Sequence, residues 1–448
     1  MKKLFGTDGI RGRAGEFPLD EATVRIIGCS LARQYQEKLG RPPRFITGRD
    51  TRESGEAIER AFHAGVRGEG GECQSSGIIT TPGVAFVTGQ FEFDAGIVIS
   101  ASHNPYEDNG IKIFAPDGKK VGEDVERAVE KDVSEADIRD EPSAGSGIDD
   151  SKATAFQSAY ADHLVGEYHG PRLEAFRMVI DCANGAACGL APKLFGRLGA
   201  EVIAFNDRPD GRNINKDCGS LHLEHLQERV VSERASFGVA FDGDADRALF
   251  VDEKGSIVDG DATLWIMAQF LRGKGGLVNN TVVATVMSNI GLEIALASVG
   301  LKLVRAAVGD KYVLDELIKT GSELGGEQSG HVIFPKESLV GDGMMTTIFM
   351  LEAISAKGRP LSEMLDGFTR YPQVLVNVKV RDKQPFESVA EISKAARQIE
   401  NDLDQKGRLL LRYSGTENLA RVMIEGKDQA EIERQANGLA EVIRTALG

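Results

Sequence analysis

Three aspartates alternate in Asp242-Gly243-Asp244-Ala245-Asp246, so an extended or turning backbone can aim their carboxylates at one point. Hard oxygen donors with no His or Cys beside them suit Mg²⁺ better than zinc. The apolar run-in Gly238-Val239-Ala240-Phe241 argues against a merely solvated acidic turn. Asp242, Asp244, Asp246 and Glu253 also fit an EF-hand loop, but Arg247 stands where its sharp turn needs Gly, and Ala248–Val251 reads as strand. A hydroxyl able to attack or carry a phosphoryl group stands at Ser102, after the apolar run Ala95–Ser100 and before His103, Asn104 and Pro105. Taken alone, an ordinary polar turn explains Ser102 more plainly. Lys112, flanked by apolar neighbours in Gly110-Ile111-Lys112-Ile113-Phe114, could pair with a phosphate, exchange protons, or snorkel from an edge strand. Glu327, Ser329 and His331 in a glycine-rich turn can hydrogen-bond several hydroxyls, as a sugar requires. Arg412, Ser414, Gly415 and Thr416 offer a guanidinium, hydroxyls and free backbone N–H groups, which suit a phosphate. Either segment also reads as a plain turn. His222 and His225 have no soft ligand nearby and read as surface residues.

The elements that must carry these residues follow from hydrophobic spacing. Residues 19–39 place Val24, Ile27, Leu31 and Ala32 on one helical face, and strands and helices then alternate. Strands are expected at Arg44–Thr47, Ala95–Ser100, Met178–Asp181, Glu201–Phe205, Phe237–Phe241, Val282–Val286 and Lys302–Ala306. Helices are expected at Ser54–Arg67, Ala187–Leu198, Glu224–Ala235, Asp261–Leu271, Gly291–Ser298 and Lys311–Lys319, and a polar linker at 134–150. Beyond Pro372 the order becomes strand, helix, two strands, helix. The fold class is therefore three α/β domains with mixed, largely parallel sheets plus a smaller C-terminal α+β domain, around one cleft. The expected bounds are 1–150, 151–253, 254–370 and 371–448. The polar motifs fall at strand ends, where open α/β sheets bind ligands.

Composition narrows the class. With 448 residues the chain exceeds one core, and 41% hydrophobic with 27% charged residues is ordinary for a globular enzyme. A net charge of −15 argues against nucleic-acid or anionic-membrane partners. The start, Met1-Lys2-Lys3-Leu4-Phe5-Gly6, has no apolar core of a signal peptide, and the apolar stretch Ala262–Leu271 is too short for a membrane span. Five cysteines without a C-x-x-C pair read as reduced thiols, so a cytoplasmic protein is expected.

Taken in order, the motifs resemble one family along the whole chain. Phe5-Gly6-Thr7-Asp8-Gly9-Ile10-Arg11-Gly12, Ser100–Pro105, Asp242–Arg247, Gly326–His331 and Arg412–Glu417 are similar to the α-D-phosphohexomutases, and the opening octapeptide and Gln328 to their bacterial phosphoglucosamine mutase branch. The resemblance implies an isomerase that interconverts glucosamine 6-phosphate and glucosamine 1-phosphate through a phosphoserine and a 1,6-bisphosphate. It makes Ser102, rather than Ser100, the phosphoserine, and gives Asp242, Asp244, Asp246 and the Ser102 phosphate to one Mg²⁺ per chain. Lys112 and Arg247 would flank the transferring group, with His331 as a proton-transfer or positioning residue. Thr7, Arg11, His103, Glu327, Ser329, Arg412, Ser414, Gly415, Thr416 and Arg421 would bind substrate, and glucosamine or glucose 1,6-bisphosphate would activate. The expected partner is a small phosphosugar, and a homodimer is compatible. Three positions depart from the family pattern: Ala245 where Gly is usual, Tyr413 where Lys is common, and Asn418 where Pro is common. Tyr413 cannot supply the positive charge a lysine would, so the phosphate pocket is expected to rely more heavily on Arg412 and Arg421.

Two sister activities, phosphomannomutase and phosphoglucomutase, fit the same motifs. Val239–Asp244 also resembles an aspartyl-phosphate phosphatase of the haloacid dehalogenase type, which would make Asp242 the nucleophile and leave the Ser102 loop without a role. A non-enzymatic sugar-phosphate sensor would keep the loops without turnover.

Overall fold

A computed structural model describes residues 3–136, 147–174, 176–404, 406–414 and 417–448. Gly415, Thr416 and residues 137–146 of the expected linker lie outside the described residues; Ser134 and Glu135 close a helix, Glu123–Glu135. The chain forms two compact units, one of Met1–Met287 with Leu301–Asp366, the other of Ser288–Gly300 with Gly367–Gly448.

The larger unit holds three sheets. Val24, Ile27 and Leu31 are fully buried on helix Glu21–Leu39, which Asp20 caps by accepting from Thr23 N at 2.9 Å and Gly40 ends in the left-handed region. That helix covers a mixed six-stranded sheet ordered Phe5–Gly6, Gly9–Arg13, Asp108–Phe114, Ala95–Ile99, Arg44–Arg49, Glu72–Ile78. Ala95–Ile99 runs parallel to Arg44–Arg49 and antiparallel to Asp108–Phe114, which sets Lys112 opposite Val98. A second sheet is ordered Ile257–Val258, Ala248–Asp252, Phe237–Phe241, Arg177–Asp181, Glu201–Phe205. Its strand Phe237–Phe241 is buried throughout, as a strand between two neighbours requires. The third sheet comprises Lys302–Ala306, Thr281–Thr285, Gly325–Gly326 and Val332–Ile333.

Four helices join the expected set: Thr81–Gln90, Glu123–Glu135, Ala153–Gly166 and Gly343–Lys357. The last is apolar nearly all round and buried from Gly343 to Ile354, so it shows no helical stripe in sequence.

The smaller unit contains an antiparallel sheet, Gln373–Lys379, Leu419–Glu425, Arg408–Tyr413, packed on helices Ala390–Leu403 and Gln429–Leu447. Helix Ile290–Ser298 belongs to it: buried Glu425 accepts from Ile290 N at 3.0 Å, and a Cβ on Gly291 would stand 1.9 Å from Thr369 O. Among the described residues no helix is long and apolar enough to cross a membrane.

Candidate active site

Two buried strands deliver the two central groups. Ala95–Ile99 empties into Ser102, and Phe237–Phe241 into Asp242. Ser102 takes a left-handed φ of 53°, and its Oγ donates to Asp242 Oδ2 at 2.5 Å, with His103 Nδ1 3.3 Å away. A Cβ on Gly243 would lie 2.6 Å from Ser102 O, so only glycine lets the two loops meet. Ala245 sits in the left-handed region at φ 53°, which accounts for the glycine usual there.

Asp242, Asp244 and Asp246 are all buried, with ligand oxygens within 4.8 Å of one another, and Asp244 Oδ1 has no hydrogen-bond partner. This donor set fits a hard divalent cation. Cations from the same loop and from other elements face the cluster. Lys112 Nζ, 1% exposed, lies 2.9 Å from Asp244 Oδ2 and 3.3 Å from Asp246 Oδ2. Arg247 Nε stands 3.9 Å from Asp246 Oδ1, and His331 Nδ1 3.6 Å from the same oxygen. Burial, then Asp246 and Asp244, push the Asp242 carboxyl well above its ordinary value. Burial acts on Asp246 in the same direction, but Lys112, His331 and Arg247 overcome it and hold that carboxyl low. Asp246 pushes His331 up to about 9 against burial, whereas burial, Arg247 and Arg11 bring His103 down to about 4.

A cavity of ≈ 530 Å³ opens beside the cluster and is lined in part by Thr7, Arg11, His103, Arg247, Glu327 and His331. Arg11 donates to Ala101 O at 3.1 Å and pairs with Asp8. Glu327 Oε1 accepts from Gly309 N at 3.1 Å, and its other oxygen from Ser329 Oγ at 3.4 Å. Gln328 turns away to Asp259, at 3.4 Å. His222 and His225 are exposed.

Arg412, Ser414 and Arg421 lie in the smaller unit. Arg412 and Arg421 are direct partners on adjacent antiparallel strands and so share one face of the sheet. Opposed like charges are unfavourable and suit an anion between them. Burial and then Arg421 lower the Arg412 guanidinium. Strand alternation puts Tyr413 on the other face, stacked on Phe386 at 4.2 Å with its hydroxyl donating to Gln384 O at 2.6 Å. Its substitution for lysine therefore removes no charge from the Arg412 face.

Several further participants were given no role on sequence grounds. Thr81 Oγ donates to Asp244 Oδ2 at 2.5 Å. Asp8 pairs with Lys112 at 3.3 Å and Lys120 at 2.7 Å, and Lys120 reaches Asp310 at 2.7 Å. Asp8 stands inside the opening octapeptide, which was its available signal; Lys120 and Thr81 belong to no motif, and Thr81 has no signal beyond a helix start.

Four models of the phosphoglucomutase/phosphomannomutase family match in series: alpha/beta/alpha domain I over residues 2–140, domain II over 158–255, domain III over 259–371 and the C-terminal domain over 375–442. A phosphoglucosamine mutase of Solibacter usitatus is 46% identical, covering 100% of this chain and 99% of its own. One of Symbiobacterium thermophilum is also 46% identical and covers 100% of both. Among solved structures, a phosphoglucomutase/phosphomannomutase family protein from Burkholderia thailandensis superposes with a TM-score of 0.80 at 24% identity, over 99% of this chain and 97% of that one. Aspergillus fumigatus N-acetylphosphoglucosamine mutase, in complex with GlcNAc-6P and magnesium, gives 0.66 at 20% identity, over 99% and 96%. Matched from end to end in all four parts, the chain belongs to the phosphoglucomutase/phosphomannomutase family of isomerases, and within it to the phosphoglucosamine mutases.

Proposed function

We propose that the chain interconverts glucosamine 6-phosphate and glucosamine 1-phosphate with Ser102 as phosphoryl carrier. The observation that carries this reading is the 2.5 Å hydrogen bond from Ser102 Oγ into a buried three-carboxylate cluster. Phospho-Ser102 meets the sugar 1-hydroxyl: the P–O1 bond forms as P–Oγ breaks, one proton leaves O1 and one arrives at Oγ. The 1,6-bisphosphate then turns over, and the same exchange in reverse moves the O6 phosphoryl to Ser102.

Asp242, Asp244 and Asp246 would hold Mg²⁺, which supplies charge screening and Lewis-acid stabilisation between carboxylates and phosphoryl oxygens. Lys112 and Arg247 flank the transferring group, and His331 or Lys112 handles the proton. Thr7, Arg11, His103, Glu327 and Ser329 orient the sugar phosphate. Arg412, Ser414 and Arg421, with Gly415 and Thr416, hold the phosphate that is not reacting, a role suited to two guanidiniums on one sheet face. The functional units of this reading span 1–150, 151–253, 254–370 and 371–448. Glucosamine or glucose 1,6-bisphosphate would prime Ser102, and the five free thiols suit the cytoplasm.

The test is glucosamine 1-phosphate formation with catalytic glucose 1,6-bisphosphate, together with phosphopeptide mapping. Turnover with phosphate on Ser102 is expected. No turnover, or phosphate on Asp242, overturns the reading.

A further inference from the structure

The Ser102 loop is held from behind by a charged pair that no motif singled out. Strand Arg44–Arg49 runs into Asp50-Thr51-Arg52, and the Asp50 and Arg52 side chains are both fully buried. Arg52 Nε donates to Asp50 Oδ2 at 2.9 Å. The rest of the guanidinium is spent on one loop: Nη2 donates to Ser102 O at 3.0 Å and Asn104 O at 2.9 Å, and Nη1 to Asp108 O at 3.0 Å and to Pro105 O. Asp50 Oδ2 also accepts from Ser100 Oγ at 2.6 Å, and that hydroxyl oxygen accepts from Ser102 N at 2.9 Å. From the domain of the carboxylate cluster, Asn215 Nδ2 reaches Ser102 O at 2.8 Å and Asn104 O at 3.1 Å.

Both the N–H and the C=O of Ser102 are thus tied to side chains. This residue is left-handed, a conformation that a non-glycine residue keeps only when its surroundings impose it. Buried ion pairs are seldom needed for stability alone, since apolar replacements often serve as well. A planar fork that spans four carbonyls, by contrast, supplies directional rigidity that an ammonium cannot. Ser102 needs such rigidity, because it must present Oγ in line twice per cycle, first as leaving group and then as nucleophile.

We propose that Arg52, oriented by Asp50 and assisted by Ser100 and Asn215, is the positioning residue of the phosphoryl carrier. It touches no substrate; it fixes the direction in which Ser102 Oγ points while the phosphoryl group comes and goes. The inference rests on Ser102 being that carrier.

The experiment follows phospho-Ser102 formation in the dephosphorylated full-length enzyme mixed with glucose 1,6-bisphosphate, alongside KM for the sugar phosphate and thermal unfolding. Arg52→Lys keeps the charge beside Asp50 but cannot span the loop. Its phosphorylation rate should fall about 100-fold, the cost of a misplacement near 1 Å, while KM and cooperative unfolding stay close to wild type. Asn215→Ala leaves the Asp50–Arg52 pair intact and should fall by roughly tenfold, the value of one or two hydrogen bonds. If Arg52→Lys does not fold, Asn215→Ala decides. A wild-type phosphorylation rate in the deciding variant, or a defect that vanishes at saturating bisphosphate, overturns the inference. Wild-type enzyme that turns over without phosphate on Ser102 overturns instead the reading beneath it.

Discussion

Ser102 Oγ donates to Asp242 Oδ2 across 2.5 Å, although the two residues follow strands of different sheets and stand 140 positions apart in sequence. Ser102→Ala should abolish turnover and the phosphopeptide while leaving the fold intact. Ser100→Ala should keep the phosphopeptide on Ser102 but slow its formation up to about tenfold, because Ser100 only steadies Ser102 N. Mass mapping of both variants checks this. Phosphate on Ser100 in either one would refute the assignment.

Thr81, the first residue of helix Thr81–Gln90, donates to Asp244 Oδ2 at 2.5 Å. Partners behind metal-binding carboxylates typically govern affinity by 10–100-fold. Thr81→Val should weaken Mg²⁺ or Mn²⁺ binding by about tenfold or more, read by calorimetry or by the Mn²⁺ paramagnetic signal without substrate. An unchanged dissociation constant would show that Asp244 needs no such support.

His63 offers a pH test remote from the chemistry. It is fully buried, its Nε2 lies 2.9 Å from Thr47 Oγ, and burial lowers it from an ordinary 6.5 to about 3. A lowered folded-state value means that below pH 6.5 the unfolded chain binds a proton that the folded one refuses, so this contribution to stability falls as pH falls. Between pH 7 and pH 5 the loss amounts to about 2 kcal/mol. His63→Gln lacks that titration, so its stability relative to wild type should improve by about that amount over the same interval. Urea denaturation of both proteins at the two pH values measures it; parallel pH profiles would contradict the shift.

Substrate choice follows from what Glu327 and Ser329 can do. Both lie in the loop proposed to bind the sugar, whereas Gln328 bonds Asp259. Exchange of one amine for a hydroxyl gives a modest preference without exclusion unless a buried partner is left unpaired. Glucose phosphate should thus be a slower substrate in kcat/KM. Mannose phosphate turning over faster than glucosamine phosphate would move the chain to another branch of its family.

Motifs were legible where chemistry demands particular side chains at fixed spacing. The Asp242–Asp246 alternation and the Ser102 turn are local, and they follow apolar strands that a short sequence window reveals. Strands and amphipathic helices such as Glu21–Leu39 were legible for the same reason. Gly343–Lys357 was not, because a helix buried on every side has no polar face to give it a period. Arg52, Thr81 and Asn215 escaped because their roles exist only across folded distances, between strands and loops that sequence does not bring together. Tyr413 shows the converse: its place in a motif pointed toward phosphate, and the pleat of its strand sends it to the core with Phe386.

That reversal sharpens the last prediction. Arg412 and Arg421 stand opposite each other on adjacent strands, with Tyr413 on the far face, so under the proposed reading the two arginines carry the charge for the non-reacting phosphate. A lost charge-assisted hydrogen bond costs ~1.5–3 kcal/mol, or roughly ten- to more than a hundredfold in affinity. Arg412→Ala should raise KM by that factor and let the bisphosphate escape between half-reactions. Each escape strands an unphosphorylated Ser102, so the variant should stall after early turnovers and recover when glucose 1,6-bisphosphate is added. Tyr413→Lys, by contrast, should leave KM unchanged and lower stability through loss of the Phe386 stack. An Arg412→Ala enzyme with wild-type KM and no released bisphosphate would place the distal phosphate on other residues.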